Sequence, residues 1–383
     1  MRIAISGASG YIGQHLSSFL EGKGYDVIPL GRDLFKEDCF DELCRCVESC
    51  EVVINLAGAS INKRWTEAYK QELYDSRICV TRQLVHAINT RSVKLELFIS
   101  ASAVGYYPAF GEYDEYHDCR GMDFLARLCG AWEEEASACS SDVRLVITRF
   151  GVVLSEDGGA LKEMLRLQRF SRVSVVIGNG QQRFPWISLF DLCRSFGYII
   201  RNRQMRGVVN LVSPDLITQK QLAHTLARAD KIRRIIPLPE FFFRLKFGEG
   251  ASFVTKGQTV HPSKLQESGF TYIYPTIEKL MNITDHHTVP ELDIKRYMGR
   301  WYEIARYENH FERGMTDVTA TYTLLPDGKI RVENEGYKGG VQKKVNGRAK
   351  QPDTKNHPGK LKVAFFLWFY ADYYILELDA DYQ

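Results

Sequence analysis

The first thirteen residues constrain this chain more than any other stretch. The apolar run Ile3-Ala4-Ile5-Ser6 enters a turn with Gly7, Gly10 and Gly13 spaced G-x-x-G-x-x-G, and an amphipathic segment over residues 15–20 follows. A buried strand, a phosphate loop and a helix account for that order. Gly7 suits the tight turn, Gly10 lets backbone N–H groups approach a pyrophosphate, and Gly13 lets the helix sit close to the strand. Tyr11 and Ile12 open the helix at the same place and belong to the expected cofactor site.

Residues 26–30 read as the second strand, and Gly31-Arg32-Asp33 follows. An NAD site usually places an acidic side chain near here to accept from the adenosine ribose hydroxyls. Arg32 stands close to that place instead, where a guanidinium pairs with a 2′-phosphate. Asp33 next door works against that reading, and a solvent-exposed loop arginine is the plain alternative. NADP rather than NAD is the expected cofactor. Residues 51–58 read as a third buried strand ending in the small-residue turn Ala57-Gly58, which would line the cofactor crevice. Helical stretches at 39–48 and 66–89 and strands at 95–100 and 145–149 continue the alternation. The fold class expected is α/β, a doubly wound Rossmann-type parallel sheet.

At 383 residues the chain has room for more than one domain. A net charge of +3 with 25% charged residues implies neither nucleic acid nor an anionic membrane as partner. The apolar clusters at 241–243 and 364–370 are too short to span a bilayer, and no export signal is expected ahead of the first strand. All nine cysteines lie between Cys39 and Cys193. An odd count without such a signal points to reduced thiols and a cytoplasmic location. Cys39, Cys44, Cys46 and Cys50 match no zinc spacing and have no histidine among them. On a helix, Cys39, Cys46 and Cys50 would share a face as small apolar residues, so no metal is expected.

A set of runs then carries a family likeness: Asn55-Leu56-Ala57-Gly58, Lys63-Arg64-Trp65-Thr66, Asp75-Ser76-Arg77, Phe98-Ile99-Ser100-Ala101-Ser102-Ala103-Val104-Gly105-Tyr106-Tyr107, Asp123-Phe124-Leu125-Ala126, Trp132-Glu133 and Gly158-Gly159-Ala160-Leu161. Over residues 1–281 the chain resembles an atypical extended short-chain dehydrogenase/reductase of the epimerase-like, cell-division-inhibitor-like branch. The resemblance implies an NAD(P)-binding domain over residues 1–285, its substrate portion mainly at 155–285. It also implies a catalytic serine, a tyrosine and a lysine four residues later. In that scheme the lysine lowers the tyrosine pKa, the phenolate moves a proton, and the serine hydrogen-bonds the substrate oxygen.

Ser102 matches the serine position. With Trp132-Glu133 fixing the register, the tyrosine and lysine positions hold Leu125 and Cys129, which supply neither a transferable proton nor a positive charge. Two readings stay open. Tyr106 or Tyr107 takes over proton transfer, with Arg77 or Cys129 near the cofactor, or the domain binds NADP without redox chemistry. Ser102 and Tyr106 are the catalytic candidates, with local packing as the alternative for each. The loop at 178–186 would face the substrate. Arg183 there suits a phosphate or carboxylate, or simply a solvated loop. Ser188 stands where the branch commonly has histidine, and His261 reads as a surface residue. The implied substrate is a sugar-nucleotide-like or other small carbonyl or hydroxyl compound.

Past a break at 284–290 the composition changes to short alternating strands without cysteine. Strands at 319–324 and 329–334 flank Asp327-Gly328, a hairpin turn signal, and further strands are expected at 341–349, 360–366 and 373–378. Gly299-Arg300-Trp301-Tyr302-Glu303, Phe311-Glu312-Arg313-Gly314 and Val318-Thr319-Ala320-Thr321-Tyr322 resemble a bacterial lipocalin of the apolipoprotein-D-like type. That likeness implies an up-and-down barrel holding an apolar ligand, with Trp301 at its closed end. Residues 286–383 leave room for about six strands. A C-terminally incomplete barrel with open edges and impaired lipid binding is therefore expected. Three functions follow: an NADP-dependent oxidoreductase or epimerase, a non-catalytic NADP-binding sensor or scaffold, and an apolar-ligand carrier.

Overall fold

The computed structural model describes residues 1–93, 95–281, 289, 291–303, 314–352, 354, 358–366, 369–376, 378–379 and 382. The chain divides into two compact units, Met1–Met281 and Asn282–Gln383.

In the first unit, six parallel strands form the central sheet: β1 Arg2–Ser6, β2 Asp26–Leu30, β3 Val52–Asn55, β4 Leu97–Ala103, β5 Arg144–Phe150 and β6 Gly207–Leu211. Their spatial order is β6-β5-β4-β3-β1-β2. The reversal of direction between β1 and β3 is the topological switch point where open α/β sheets bind ligands. Pro29 is tolerated in β2 because that strand lies at the sheet edge. The helices of eight or more residues are α1 Tyr11–Glu21, α2 Phe40–Glu48, α3 Glu67–Thr90, α4 Phe124–Ser137, α5 Gly159–Ser171, α6 Leu189–Arg201, α7 Gln219–Ala229 and α8 Glu240–Phe247.

Strand alternation divides the core between the two faces of the sheet. Ile3, Ile5, Ile54, Ile99 and Val146 pack with Leu16 and Leu20 of α1 and Phe196 and Ile199 of α6. Ala4, Val53, Phe98 and Ile147 pack on the other side with Leu43 and Val47 of α2 and Leu84 and Ile88 of α3. Fully burying such a side chain contributes about 1.5–3 kcal/mol. Local signals set the helix starts. Thr66 Oγ1 accepts from Tyr69 N at 3.2 Å to open α3, and Asp123 Oδ1 accepts from Ala126 N at 2.9 Å to open α4. Cys44, Cys46 and Cys50 pack into the second of these cores as small apolar groups, while Cys39 stands at the N-cap of α2 outside it. No cluster of metal-ligating side chains occurs among the described residues.

The second unit is a six-stranded antiparallel meander: β7 Gly299–Tyr302, β8 Met315–Leu324, β9 Ile330–Lys338, β10 Val341–Lys350, β11 Lys360–Phe366 and β12 Phe369–Tyr374. It forms the half-barrel expected of a partial lipocalin-like sheet, with β7 and β12 at its edges among the described residues. Gly328, at a φ of +78°, closes the Asp327-Gly328 hairpin turn. One face is apolar: Tyr322, Ile330, Val332, Leu361 and Val363 pack beneath Tyr297 of a short helix, Ile294–Tyr297. Trp301 stacks on Tyr297 at 4.9 Å between ring centroids and donates from Nε1 to Tyr297 O at 3.0 Å.

Two strands depart from expectation, and the first is Gly299–Tyr302, which pairs with β8 although the sequence marks no strand ahead of 319. The last ladder strand is Phe369–Tyr374 rather than 373–378. Past Tyr374 regular pairing ends: Ile375 N donates to Gly359 O and Ile375 O accepts from Val289 N, both at 2.9 Å, and Ile375 and Leu378 add to the core. Alternation alone does not separate those two uses. Phe311, Glu312 and Arg313, part of the lipocalin-like signature, lie outside the described residues, as does most of the break at 284–290.

Candidate functional site: a dinucleotide crevice

The phosphate loop is shaped by backbone crowding. Gly7 has a φ of +75°, and a β-carbon on it would lie 2.8 Å from the Leu56 carbonyl carbon and oxygen at the end of β3. A β-carbon on Gly13 would lie 2.2 Å from Gly7 O and 2.8 Å from Ala8 Cα. Only glycine lets α1 start this close to the loop. The N-cap residue of α1, Gly10, is extended and no side chain caps the helix; its first turn holds no acidic residue. The first N–H groups of α1 therefore present an uncompensated positive end to the crevice, which suits a pyrophosphate. The residues present fit the dinucleotide that the fold implies.

Tyr11 and Ile12 lie in the first turn of α1, half-buried, and the Tyr11 ring rests over the Gly158-Gly159 turn that starts α5. Burial raises the Tyr11 phenol. Beyond β2, Arg32 opens a short 3₁₀ turn, Arg32–Phe35, and is exposed. Asp33 pairs with Lys36 at 2.5 Å, and that hydrogen bond holds its carboxyl below the usual range. The carboxylate that sequence sets against Arg32 is thus committed elsewhere, and Arg32 has no ion-pair partner among the described residues.

At the end of β3 a buried polar chain fixes the Ala57-Gly58 turn. Ser6 Oγ donates to Asn55 Oδ1 at 2.6 Å, Asn55 Nδ2 donates to Thr81 Oγ1 at 2.8 Å, and Trp132 Nε1 donates to the same Oγ1 at 2.9 Å. The Arg77 guanidinium lies over Gly58, donates to Leu73 O at 3.1 Å and Ala59 O at 3.0 Å, and sits 5.2 Å from the Trp132 ring. Its hydrogen bonds go to carbonyls, and burial pulls its pKa down, with Cys129 and Tyr69 opposing.

The catalytic candidates meet around a group that motif reading passes over. Ser102, 2% exposed, donates to Glu133 Oε1 at 2.6 Å. Glu133 is also held from the other side, accepting from Arg149 Nε at 2.8 Å and from Arg149 Nη2 at 2.7 Å. The Arg149 guanidinium then lies 3.5 Å from the centroid of the Tyr106 ring and 4.7 Å from that of Tyr107. Burial opposes charge on Arg149, but the Glu133 hydrogen bonds and carboxylate outweigh it and keep the guanidinium protonated. Burial raises the Tyr106 phenol while Arg149 pulls it the other way. Tyr106 Oη donates to Asp118 at 3.2 Å, whereas buried Tyr107 is tied to Asp114 O and Asn210.

Ser102 has one hydroxyl proton, and Glu133 receives it. In this geometry the Ser102 hydroxyl is tied to the Glu133–Arg149 pair. Leu125 packs its side chain onto Gly105. The buried Cys129 thiol is pushed up to about 12 by burial first and then by Glu133, so it is neutral at ordinary pH. Neither reproduces a tyrosine or a lysine. Ser188 caps α6 by accepting from Asp191 N at 2.9 Å, and His261 contacts Glu112 at 2.5 Å beside a short strand pair, both structural uses. Arg183 and Lys220 border a polar cleft together with Thr218 and His224 at the start of α7. Glu133 and Arg149 were findable only as a charged pair on a helix and a strand that sequence leaves sixteen residues apart.

A parallel sheet with a glycine loop at its switch point defines a dinucleotide-binding protein. The chain belongs to the NAD dependent epimerase/dehydratase family, whose model matches residues 3–211. Residues 238–282 match a domain of unknown function, and residues 292–383 match a lipocalin-like domain. The epimerase family protein YfhF of Bacillus subtilis is 34% identical over 307 residues, covering 76% of this chain and 100% of that protein. The chloroplastic epimerase family protein SDR39U1 homolog of Arabidopsis thaliana is 33% identical over 297 residues, covering 73% of this chain and 85% of its own. A crystal structure of human epimerase family protein SDR39U1 (isoform 2) with NADPH matches at a TM-score of 0.68 and 32% identity, covering 74% of this chain and 99% of that one. No described helix is long and apolar enough to cross a membrane.

Proposed function

We propose that the first unit is an NADP(H)-dependent oxidoreductase or epimerase-like protein acting on a small carbonyl or hydroxyl compound of the sugar-nucleotide kind. The observation that carries this reading is the uncapped start of α1 behind a loop where Gly7 and Gly13 leave no space for a β-carbon. Gly7, Gly10, Tyr11, Ile12 and Gly13 would hold the pyrophosphate, Ala57 and Gly58 would line the crevice, and Arg32 would take a 2′-phosphate. Arg77 adds a cation beside Gly58. The human relative's structure with NADPH supports the choice of NADP.

A bound nicotinamide supplies hydride donation or acceptance. Tyr106, kept neutral by burial, is the proton donor to the substrate oxygen in this reading. Arg149 against its ring stabilises the phenolate that forms, in place of the lysine. Ser102 and Glu133 are positioning residues for Arg149.

Leu125 and Cys129 favour the second reading, an NADP(H)-binding sensor or scaffold without hydride chemistry. The second unit suits a small apolar ligand on grounds of its lipocalin-like match. All nine cysteines are free, which supports a reducing, cytoplasmic setting.

The test is a titration of the full chain with NADPH and NADH, followed by nicotinamide fluorescence, beside Arg32→Ala. Loss of a charge-assisted hydrogen bond should weaken NADPH about tenfold or more and leave NADH nearly unchanged. Equal effects on both would refute the 2′-phosphate role, and no binding of either would sink the enzyme reading. Substrate-dependent loss of NADPH absorbance, across nucleotide sugars and small ketones, then separates the enzyme from the sensor.

A further inference from the structure

The overall charge balance gives no hint of a membrane partner, but one element does. α8 carries Glu-Phe-Phe-Phe-Arg-Leu-Lys-Phe. Phe241 is 63% exposed, Leu245 61% and Phe242 50%, and no residue of the helix is fully buried. At about 100° per residue, the order around the helix is Arg244, Phe241, Leu245, Phe242, Lys246. An outward apolar stripe is therefore flanked by a base on each side, and both bases are exposed. Phe243 and Phe247, on the opposite side, are partly buried.

The stripe is not there because the helix is loosely attached. Trp65 N donates to Phe247 O at 3.2 Å, Arg64 Nη1 donates to Leu245 O at 3.4 Å, and Gly248 bridges to Trp65. The body of the unit thus holds α8 by its backbone and turns its large side chains outward. The strand before it, Arg234–Leu238, continues the pattern with Ile236 45% exposed and Arg234 exposed. Over residues 228–247, Arg228, Lys231, Arg233, Arg234, Arg244 and Lys246 stand against Asp230 and Glu240, which is +4 in a chain that totals +3. Asp230 is engaged by Arg169 at 2.9 Å, Arg228 pairs with Glu278 at 3.2 Å and Arg244 lies 3.9 Å from Glu240, which leaves Lys231, Arg233, Arg234 and Lys246 as the surplus bases.

We propose that α8 is a docking element for an anionic lipid bilayer, lying in the headgroup plane with Phe241, Phe242 and Leu245 inserted and Arg244 and Lys246 on the lipid phosphates. Aromatic and aliphatic side chains on one face with basic residues at its margins are what such a surface selects. Docking against a second copy would bring the basic margins of two α8 helices together, with Glu240 as the sole acid on the element. A bilayer with anionic headgroups answers both the apolar stripe and the charge.

The experiment is co-sedimentation of the full chain with vesicles of phosphatidylcholine alone and of equal parts phosphatidylcholine and phosphatidylglycerol, at low and high salt. The chain should pellet with the mixed vesicles, not with phosphatidylcholine alone, and should be released by salt. Phe241→Ser with Phe242→Ser, and separately Arg244→Gln with Lys246→Gln, should each weaken partitioning about tenfold or more while NADPH binding and the far-ultraviolet spectrum stay unchanged. Pelleting that both variant pairs retain would place the contact elsewhere and overturn the proposal. So would no pelleting, equal pelleting on both vesicles, or a stable dimer by light scattering that the serine pair dissociates.

Discussion

Replacing Gly13 with alanine should damage both stability and NADPH binding, and the structure sets the size of each effect. The added carbon would sit 2.2 Å from Gly7 O, 2.8 Å from Ala8 Cα and 2.9 Å from Gly7 C. All three are backbone atoms, so no side chain can rotate away. The equivalent carbon on Gly10 meets Gly7 O at 3.2 Å, a separation that small adjustments accommodate. α1 would have to retreat by about 1 Å, and overpacking of that order costs about 1–3 kcal/mol. In a unit of this size that lowers Tm by about 2–10 °C. The same retreat pulls the leading N–H groups off the pyrophosphate. With about 1.5–3 kcal/mol per charge-assisted hydrogen bond, NADPH should bind about 10–100-fold more weakly. Differential scanning fluorimetry and nicotinamide fluorescence read the two effects, with Gly10→Ala as the milder comparison. A Gly13→Ala protein that melts and binds NADPH like its parent would refute the cradle argument.

Other expectations follow from single contacts. Glu133→Gln leaves buried Arg149 without its carboxylate and should cost about 3–5 kcal/mol in urea unfolding, whereas Glu133→Leu with Arg149→Met should recover most of that loss; equal stability of both variants would mean that the pair is not coupled. Mildly alkaline dithionitrobenzoate should label exposed Cys79 and Cys119 quickly and spare Cys129, whose thiol lies near 12. Cys129→Ser must then leave the fast phase unaltered. Burial raises the Tyr297 phenol above its ordinary 10.0, so its contribution to the second unit is complete below pH 10.0 and is lost as pH climbs towards the raised value. Alkaline unfolding followed by Trp301 fluorescence should therefore become less steep in Tyr297→Phe, and an unchanged slope would remove Tyr297 from the cause.

Much of the fold could be read locally. The strand, loop and helix of residues 2–21 announce themselves through a short apolar run and three spaced glycines, because steric permission at a glycine is a property of the residue itself. The α3 start at Thr66 and the β8–β9 hairpin at Asp327-Gly328 are likewise written in cap and turn chemistry. Four strands of the second unit, β8 to β11, follow from alternation, whereas the short edge strand β7 is not marked by it. Alternation misplaced the last strand, since Ile375 looks the same whether it continues a ladder or turns into the core.

What only the tertiary structure decided is which side chains spend their hydrogen bonds on one another. Ser102 on β4, Glu133 on α4 and Arg149 on β5 become one buried unit because parallel strand pairing sets Ser102 beside Arg149 and α4 packs over both strands. Their chemistry is absent from any local window of sequence. Asp33 reads as a rival to Arg32 until Lys36, one helical turn on, takes its carboxylate. The phenylalanines of α8 read only as an apolar cluster too short to span a bilayer, and the backbone contacts to Arg64 and Trp65 fix which side faces out. Sequence by itself determined the elements, whose causes lie within a few residues. The partners of each polar group were decided by contacts between residues far apart in the chain, and those exist only once the layers have packed.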